Sequence, residues 1–358
     1  MDRGQAAMRV AIADVQVPFI SGGGEALAQG LLHACRRAGH ETELVTMPFR
    51  FSPDTEVVRM LTSWGEENLD DLNGYAPDVV VCLRFPTYCL SHHRKVVWLL
   101  HQHRAFYDLW NPDAPENTPE REAVRQHIIR EDTTHLARAE RAYTISQNVS
   151  NRLERFNGIA STPLYHPPPM AGKLYTTEPE AYIFAPSRLE SLKRQWLLIQ
   201  AMQHVRAPVA VLIGGAGGQQ PQYAQLIEQL GLGDKIRLVG KLSEEELAAY
   251  YACSLGVFFG PLDEDYGYIT LEAMLAKKPV ITCTDSGGPL EFVINHETGI
   301  VDEPAPEALA AAIEFLYANR RRAVEFGAAG YGRYQSFQLS WDNVVDELLT
   351  FHSAASAS

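Results

Sequence analysis

The chain has 358 residues, 46% hydrophobic and 21% charged, which is the balance of a folded protein and long enough for two domains of ordinary size. Its formal charge of −13 excludes a general nucleic-acid binder, which needs a basic footprint to displace counterions from phosphates. No window approaches the roughly 20 apolar residues of a membrane span, nothing reads as an export signal, and the scattered Cys35, Cys82, Cys89, Cys253 and Cys283 read as reduced thiols of a cytoplasmic protein.

In chain order, MRVAIADV (8–15) is a short strand. A glycine-rich loop, Gly22–Gly24, follows it, and EALAQGLLHACRRAGH (25–40) is an amphipathic helix stopped at Gly39. ETELVTM (41–47), PDVVVCL (77–83) and KVVWLLHQH (95–103) are further strands. Their near-continuous apolar runs suit a parallel sheet covered on both faces. A strand at 142–146 leads into a helix capped near Ser146 or Asn148.

Residues 163–180, PLYHPPPMAGKLYTTEPE, hold five prolines and no hydrophobic period, and read as a linker. Alternation then restarts: strand 181–186, helix 191–205, strand 208–214, helix 221–230, strand 235–240, helix 243–251, strand 254–260, helix 267–276 and strand 278–283. A helix at 306–318, an Ala/Gly/Arg-rich stretch and a closing helix at 341–352 complete the chain. The expected fold is two doubly wound α/β halves, 1–165 and 181–335, joined by a linker at 166–180 and followed by a terminal segment at 336–358. Ligands in such folds sit beyond the carboxyl ends of the strands.

Four constellations fall in those loops. In GPLDEDYGYITLEAMLAKKPVIT (260–282), Glu264 lies in a loop and Glu272 eight positions on, within a helix that opens near Gly267. A helix start offers N–H groups and partial positive charge to an anion. A solvated acidic loop with a capping glutamate is the alternative. In APSRLESLKRQWLLIQA (185–201), Arg188 and Lys193 stand where a strand ends and a helix begins. Cations there suit a diphosphate, and ordinary surface charge is the alternative. Gly22, Gly23 and Gly24 let backbone approach a ligand, although neither the dinucleotide fingerprint nor a Walker loop is present. His101 ends an apolar strand. It is positioned to donate to a sugar hydroxyl or a developing charge, and no HxxxH or HExxH spacing suggests a metal.

The sequence resembles the retaining glycosyltransferases of the large family four, which have the GT-B fold: two Rossmann-like domains facing across a cleft, with a C-terminal helix crossing back to the first domain. The family's E-x7-E motif is matched by Glu264, Gly267, Glu272, Ala273 and Met274, and its next segment by Gly287, Gly288 and Glu291. The resemblance implies that Arg188 and Lys193 grip the donor diphosphate. It places Glu264 on the transferred sugar, Glu272 on the ribose and the N–H groups near Tyr268 and Ile269 on the phosphate. Gly22–Gly24, Leu242 (toward the base) and Tyr266 complete the donor set, and Glu264, His101, Arg188 and Lys193 the catalytic one. Departures are Tyr266 for phenylalanine, Lys277 for glycine and GGAGG after the strand at 209–213.

The implied reaction moves a hexose-type sugar, with retention, from a UDP-, GDP- or similar donor to a hydroxyl of a glycan, lipid-linked or small-molecule acceptor, with no metal and no cofactor. A nucleotide-sugar 2-epimerase is the rival from another class. A non-catalytic dinucleotide binder is a third, weakened by the missing fingerprint. The stretch RFPTYCLSHHRKVVW (84–98) reads either as contact with a lipid-linked acceptor at the inner membrane face or as a buried strand with its flanks. Donor base, acceptor and oligomeric state are not legible.

Overall fold

The computed structural model describes residues 7–20 and 22–351. They fall into two units, one from the described parts of Met1–His166 and Ser340–Ser358, the other Pro167–Leu339. The first unit runs β1 (Arg9–Gln16), α1 (Gly23–Arg37), β2 (Glu41–Pro48), α2 (Asp54–Glu66), β3 (Val79–Cys82), β4 (Lys95–Leu99), α3 (Pro119–Leu136), β5 (Arg141–Thr144), α4 (Gln147–Asn157) and β6 (Thr162–Pro163). The second runs β7 (Tyr182–Pro186), α5 (Gln195–Ala201), β8 (Ala210–Gly214), α6 (Gln220–Gln229), β9 (Ile236–Gly240), α7 (Glu244–Cys253), β10 (Gly256–Phe258), α8 (Tyr268–Leu275), β11 (Val280–Cys283), α9 (Pro289–Phe292), β12 (Gly299–Asp302), α10 (Pro306–Ala318) and α11 (Arg320–Ser336). The last helix, α12 (Trp341–Leu349), belongs to the first unit.

Each unit is built on a parallel six-stranded sheet. The orders are β2-β1-β3-β4-β5-β6 and β12-β11-β10-β7-β8-β9. The central strands β3, β4, β7, β10 and β11 are buried at every residue, as both-face coverage by helices requires. Counted from β7, the second order reads 3-2-1-4-5-6, the doubly wound order that reverses between its first and fourth strands. Reversal therefore falls between β7 and β10 in the second unit and between β1 and β3 in the first, and the loops after those strands are where a ligand fits.

The structure departs from the sequence reading in places that matter. Gly23 and Gly24 are the opening residues of α1, so the triple glycine is largely a helix start. β4 ends at Leu99, which leaves His101 in the following loop. The helix expected at 191–205 is shorter: a 3-10 turn, Ser191–Lys193, and Arg194 at φ 51° precede α5. α2, α3, α11 and β12 appear where no element is expected. Residues 84–90 and 95–98 are buried, so the basic-aromatic stretch is a strand and its flanks.

Candidate functional site

The second unit gathers most of the predicted residues at its point of strand reversal. β7 ends at Pro186 and delivers Arg188 and, after the 3-10 turn, Lys193; β10 ends at Phe258 and delivers the loop bearing Glu264. The two loops are joined through backbone, Leu262 N–H donating to the Leu192 carbonyl at 2.8 Å. Lys193 Nζ meets Glu264 Oε2 at 2.5 Å with both side chains about four-fifths buried, and lies 5.6 Å from the Phe259 ring centroid. One N–H of the ammonium is committed to Glu264. Arg188 is exposed, and among the described residues its guanidinium has no ion-pair or hydrogen-bond partner.

Glu264 is fixed by its neighbour strand's loop. Its N–H donates to the Ser286 carbonyl at 2.9 Å and its carbonyl accepts from Gly288 N–H at 2.7 Å. A Cβ on Gly288 would stand 2.6 Å from the Tyr266 carbonyl oxygen, so only glycine permits this approach. Gly267 caps α8 at φ 94°, a left-handed conformation that favours glycine. Tyr268 and Ile269 follow as the first turn, where helical N–H groups lack intrahelical acceptors and the dipole favours an anion. Tyr266 is buried, edge-on to Tyr268 and to Phe292.

Glu272 sits deeper, 7% exposed, and accepts the Tyr251 hydroxyl at 2.7 Å. Burial pushes its carboxyl up to about 7. Leu242, half-buried after β9, packs beside Gly214 at the end of β8. The loops after β7 and β8 are laced together, Ser187 N–H to the Gly214 carbonyl and Leu189 N–H to the Ala216 carbonyl, both at 3.0 Å.

Arg194 is the residue the sequence reading passed over. Buried, it donates from Nε to the Gly260 carbonyl at 2.9 Å and from Nη2 to the Pro261 carbonyl at 2.7 Å. It also grips both oxygens of Asp285, at 2.7 and 2.6 Å. One guanidinium thus ties the loops after β7, β10 and β11. Its neighbour Lys193 was legible by spacing, whereas Arg194 shows its role only through carbonyls brought together by the fold.

The first unit holds Gly22–Gly24 and His101. Gly22 N–H donates to Glu25 at 2.8 Å, and Glu25 binds Arg84 at 2.7 Å. Arg84 forks onto Asp14 at 2.6 and 2.7 Å. A Cβ on Gly24 would lie 2.9 Å from Arg84 Nη1, so this glycine serves packing over the buried arginine. Asp14 inside an apolar strand and Arg84 just past another are the sequence signals of that pair. His101 is half-buried, with Nδ1 2.7 Å from the Gln102 carbonyl oxygen. A carbonyl only accepts, so Nδ1 carries the proton. The neutral ring therefore offers Nε2 as an acceptor, and donation from Nε2 requires the imidazolium.

Among the described residues, Asp70, His92 and His93 bring three ligand-type atoms within 4.8 Å. His92 is engaged by backbone at both ring nitrogens: Nδ1 lies 2.8 Å from the Arg94 carbonyl oxygen and 3.1 Å from the Arg94 nitrogen, and Nε2 lies 3.1 Å from the Pro77 carbonyl oxygen.

Residues 172–333 match the family model of the glycosyl transferases, group 1. The matched stretch contains the second-unit site residues Arg188, Lys193, Arg194, Leu242, Glu264, Tyr266 to Ile269 and Glu272. A GDP-mannose-dependent alpha-(1-6)-phosphatidylinositol monomannoside mannosyltransferase of Mycobacterium tuberculosis is 33% identical over 177 residues, 46% of this chain and 45% of that protein. A D-inositol 3-phosphate glycosyltransferase of Corynebacterium urealyticum is 28% identical over 46% of this chain and 41% of its own. The matched part therefore spans under half the length of these relatives. Among solved structures, sucrose-phosphate synthase of Thermosynechococcus elongatus aligns with a TM-score of 0.73 at 19% identity, over 95% of this chain and 97% of that one. Anabaena HepE, solved with UDP and glucose, aligns with a TM-score of 0.70 at 18% identity, over 96% and 99%. The fold is GT-B, α/β with two Rossmann-like domains, and residues 172–333 are similar to the glycosyl transferases of group 1.

Proposed function

We propose that this protein is a retaining glycosyltransferase that carries a hexose-type sugar from a nucleotide diphosphate to a hydroxyl of a glycan, lipid-linked or small-molecule acceptor. The observation that carries this reading is the Lys193–Glu264 contact at 2.5 Å, set where the second sheet reverses and inside the matched family region. The ammonium keeps N–H groups for phosphate oxygens while it orients the carboxylate toward the sugar hydroxyls. Arg188 and the first turn of α8 add fixed positive charge where the leaving diphosphate gains negative charge, the largest available source of rate. That diphosphate takes the acceptor's proton, so no metal and no carboxylate nucleophile are called for. The Mycobacterium tuberculosis relative is named for GDP-mannose and HepE was solved with UDP, which supports both GDP and UDP donors as candidates. The first relative is named for phosphatidylinositol monomannoside, which supports a lipid-linked acceptor.

The test is a thermal-shift panel of UDP, GDP, ADP and TDP, followed by transfer from the matching sugar donor in excess EDTA with the product anomer read by NMR. One diphosphate is expected to stabilise the protein, and turnover to continue in EDTA with anomeric configuration kept. Arg188→Ala and Lys193→Ala are each expected to cost about 2–4 kcal/mol of transition-state stabilisation. Turnover lost in EDTA and restored by magnesium overturns the metal-free reading and promotes Asp263 and Asp265 to ligands. An epimer formed from donor alone restores the isomerase.

A further inference from the structure

We infer that the second unit carries another ligand site, at the opposite edge of its sheet from Lys193, which takes a small organic anion: a phosphate or carboxylate on a short apolar body. The strands are parallel, so the loops that precede β10 and β11 lie at the far edge from those that follow β7 and β10. There a cavity of about 350 Å³ is walled by Leu255, Pro279 and Val324 and holds Lys277, Lys278 and Thr177. Its size is at the lower end for ligand pockets, about 300–1,000 Å³.

The two lysines carry the assignment. Lys278 is 3% exposed, and among the described residues its single hydrogen-bond acceptor is the Thr177 carbonyl at 3.1 Å. An ammonium so buried, with three donors and one neutral acceptor, is poorly compensated. Burial pulls it down to about 8, against smaller opposing effects of Cys253 and Glu178. Lys277 stands at φ 53° in the turn after α8, a left-handed position that favours glycine. A side chain stands there against backbone preference. Its Nζ lies 4.8 Å from the Tyr331 ring centroid, and no carboxylate of the described residues is paired with either amine. Glu178, the acid of the lining, is exposed. A buried lysine with one neutral acceptor and an exposed lysine beside it, both lining an apolar-walled cavity, match an anionic head with a short chain. The apolar wall sets such a ligand apart from a bare ion.

The test titrates the full chain calorimetrically with butyl phosphate, butyrate and inorganic phosphate, in the wild type and in Lys193→Ala, which separates this site from the donor site. The expected result is saturable binding of butyl phosphate or butyrate, equal in those two proteins and tighter than inorganic phosphate. It should be weakened at least about tenfold by Lys278→Met, the loss of a charged hydrogen-bond donor. Lys277→Gly, which relieves the backbone, should weaken it while raising thermal stability. Val324→Trp, a change to a half-exposed wall, should abolish it in a folded protein even if Lys278→Met does not fold. Butyl phosphate alone binding assigns a phosphate ligand, and butyrate alone a carboxylate. The proposal falls if no probe binds at about 10 mM, a concentration that detects even millimolar affinity. It falls equally if binding vanishes in Lys193→Ala or persists unchanged in Val324→Trp.

Discussion

Glu264 and Glu272 are eight positions apart and stand in different surroundings, one in a loop and paired with Lys193, the other within α8 and buried against Tyr251. Glu264→Gln is expected to lower turnover of the sugar donor while leaving affinity for the bare nucleoside diphosphate nearly intact. Glu272→Gln should weaken the diphosphate itself by about 1.5–3 kcal/mol, and a 2′,3′-dideoxy analogue far less. Calorimetric titration checks both, and equal effects would undo the division of labour. A third carboxylate tests electrostatics away from the site. Asp132 is fully buried, accepts the Tyr107 hydroxyl at 2.6 Å, and is pushed by burial from 3.8 up to about 7. Its folded value lies above its unfolded one, so the stability it contributes is full below about pH 4 and lost as pH rises through about 7. Asp132→Asn should flatten the first unit's stability against pH across that window in urea unfolding. An unchanged slope would place the ionised form in the core.

At the scale of elements, the site depends on how closely three loops lie. Gly288→Ala puts a methyl 2.6 Å from the Tyr266 carbonyl oxygen and forces the 263–267 loop outward. Overpacking of this kind costs about 1–3 kcal/mol. Nucleoside diphosphate affinity is expected to fall with it, measured by titration alongside urea unfolding. Wild-type affinity in a folded variant would show that the loop is not needed in its observed place. The central strands were legible because fully buried parallel strands are continuous apolar runs. α3 was not, because its buried positions Ile128, Asp132 and Leu136 put an acid in the middle of the stripe. α11 was obscured by its glycines, which read as breakers: Gly327 is where the helix meets the Lys277 carbonyl, with room for no Cβ. Arg188, Lys193 and the two glutamates were legible as charges placed where elements begin and end. Arg194 and Arg84 were not, since their partners are carbonyls and acids distant in sequence.

For the molecule as a whole, the first unit is completed by α12. Trp341 packs so closely on α1 that a Cβ at Gly30 would meet its ring at 2.2 Å, and it lies edge-on to Trp98. Around it Arg37 pairs with Asp342 at 2.9 Å, and the Tyr143 hydroxyl donates to the Glu347 carbonyl at 3.1 Å. Gly30→Ala should therefore destabilise the first unit by about 1–3 kcal/mol and leave the second unit's unfolding unchanged. Urea unfolding followed separately by tryptophans of the two units would show this, and a shift in both transitions would mean they unfold together. The chain leaves the first unit at His166 and returns at Ser340, with all of the second unit between. During synthesis, the face of α1 that Trp341 covers thus waits bare through the translation of every intervening codon, and a ribosome stalled before position 341 holds a first unit that has not closed.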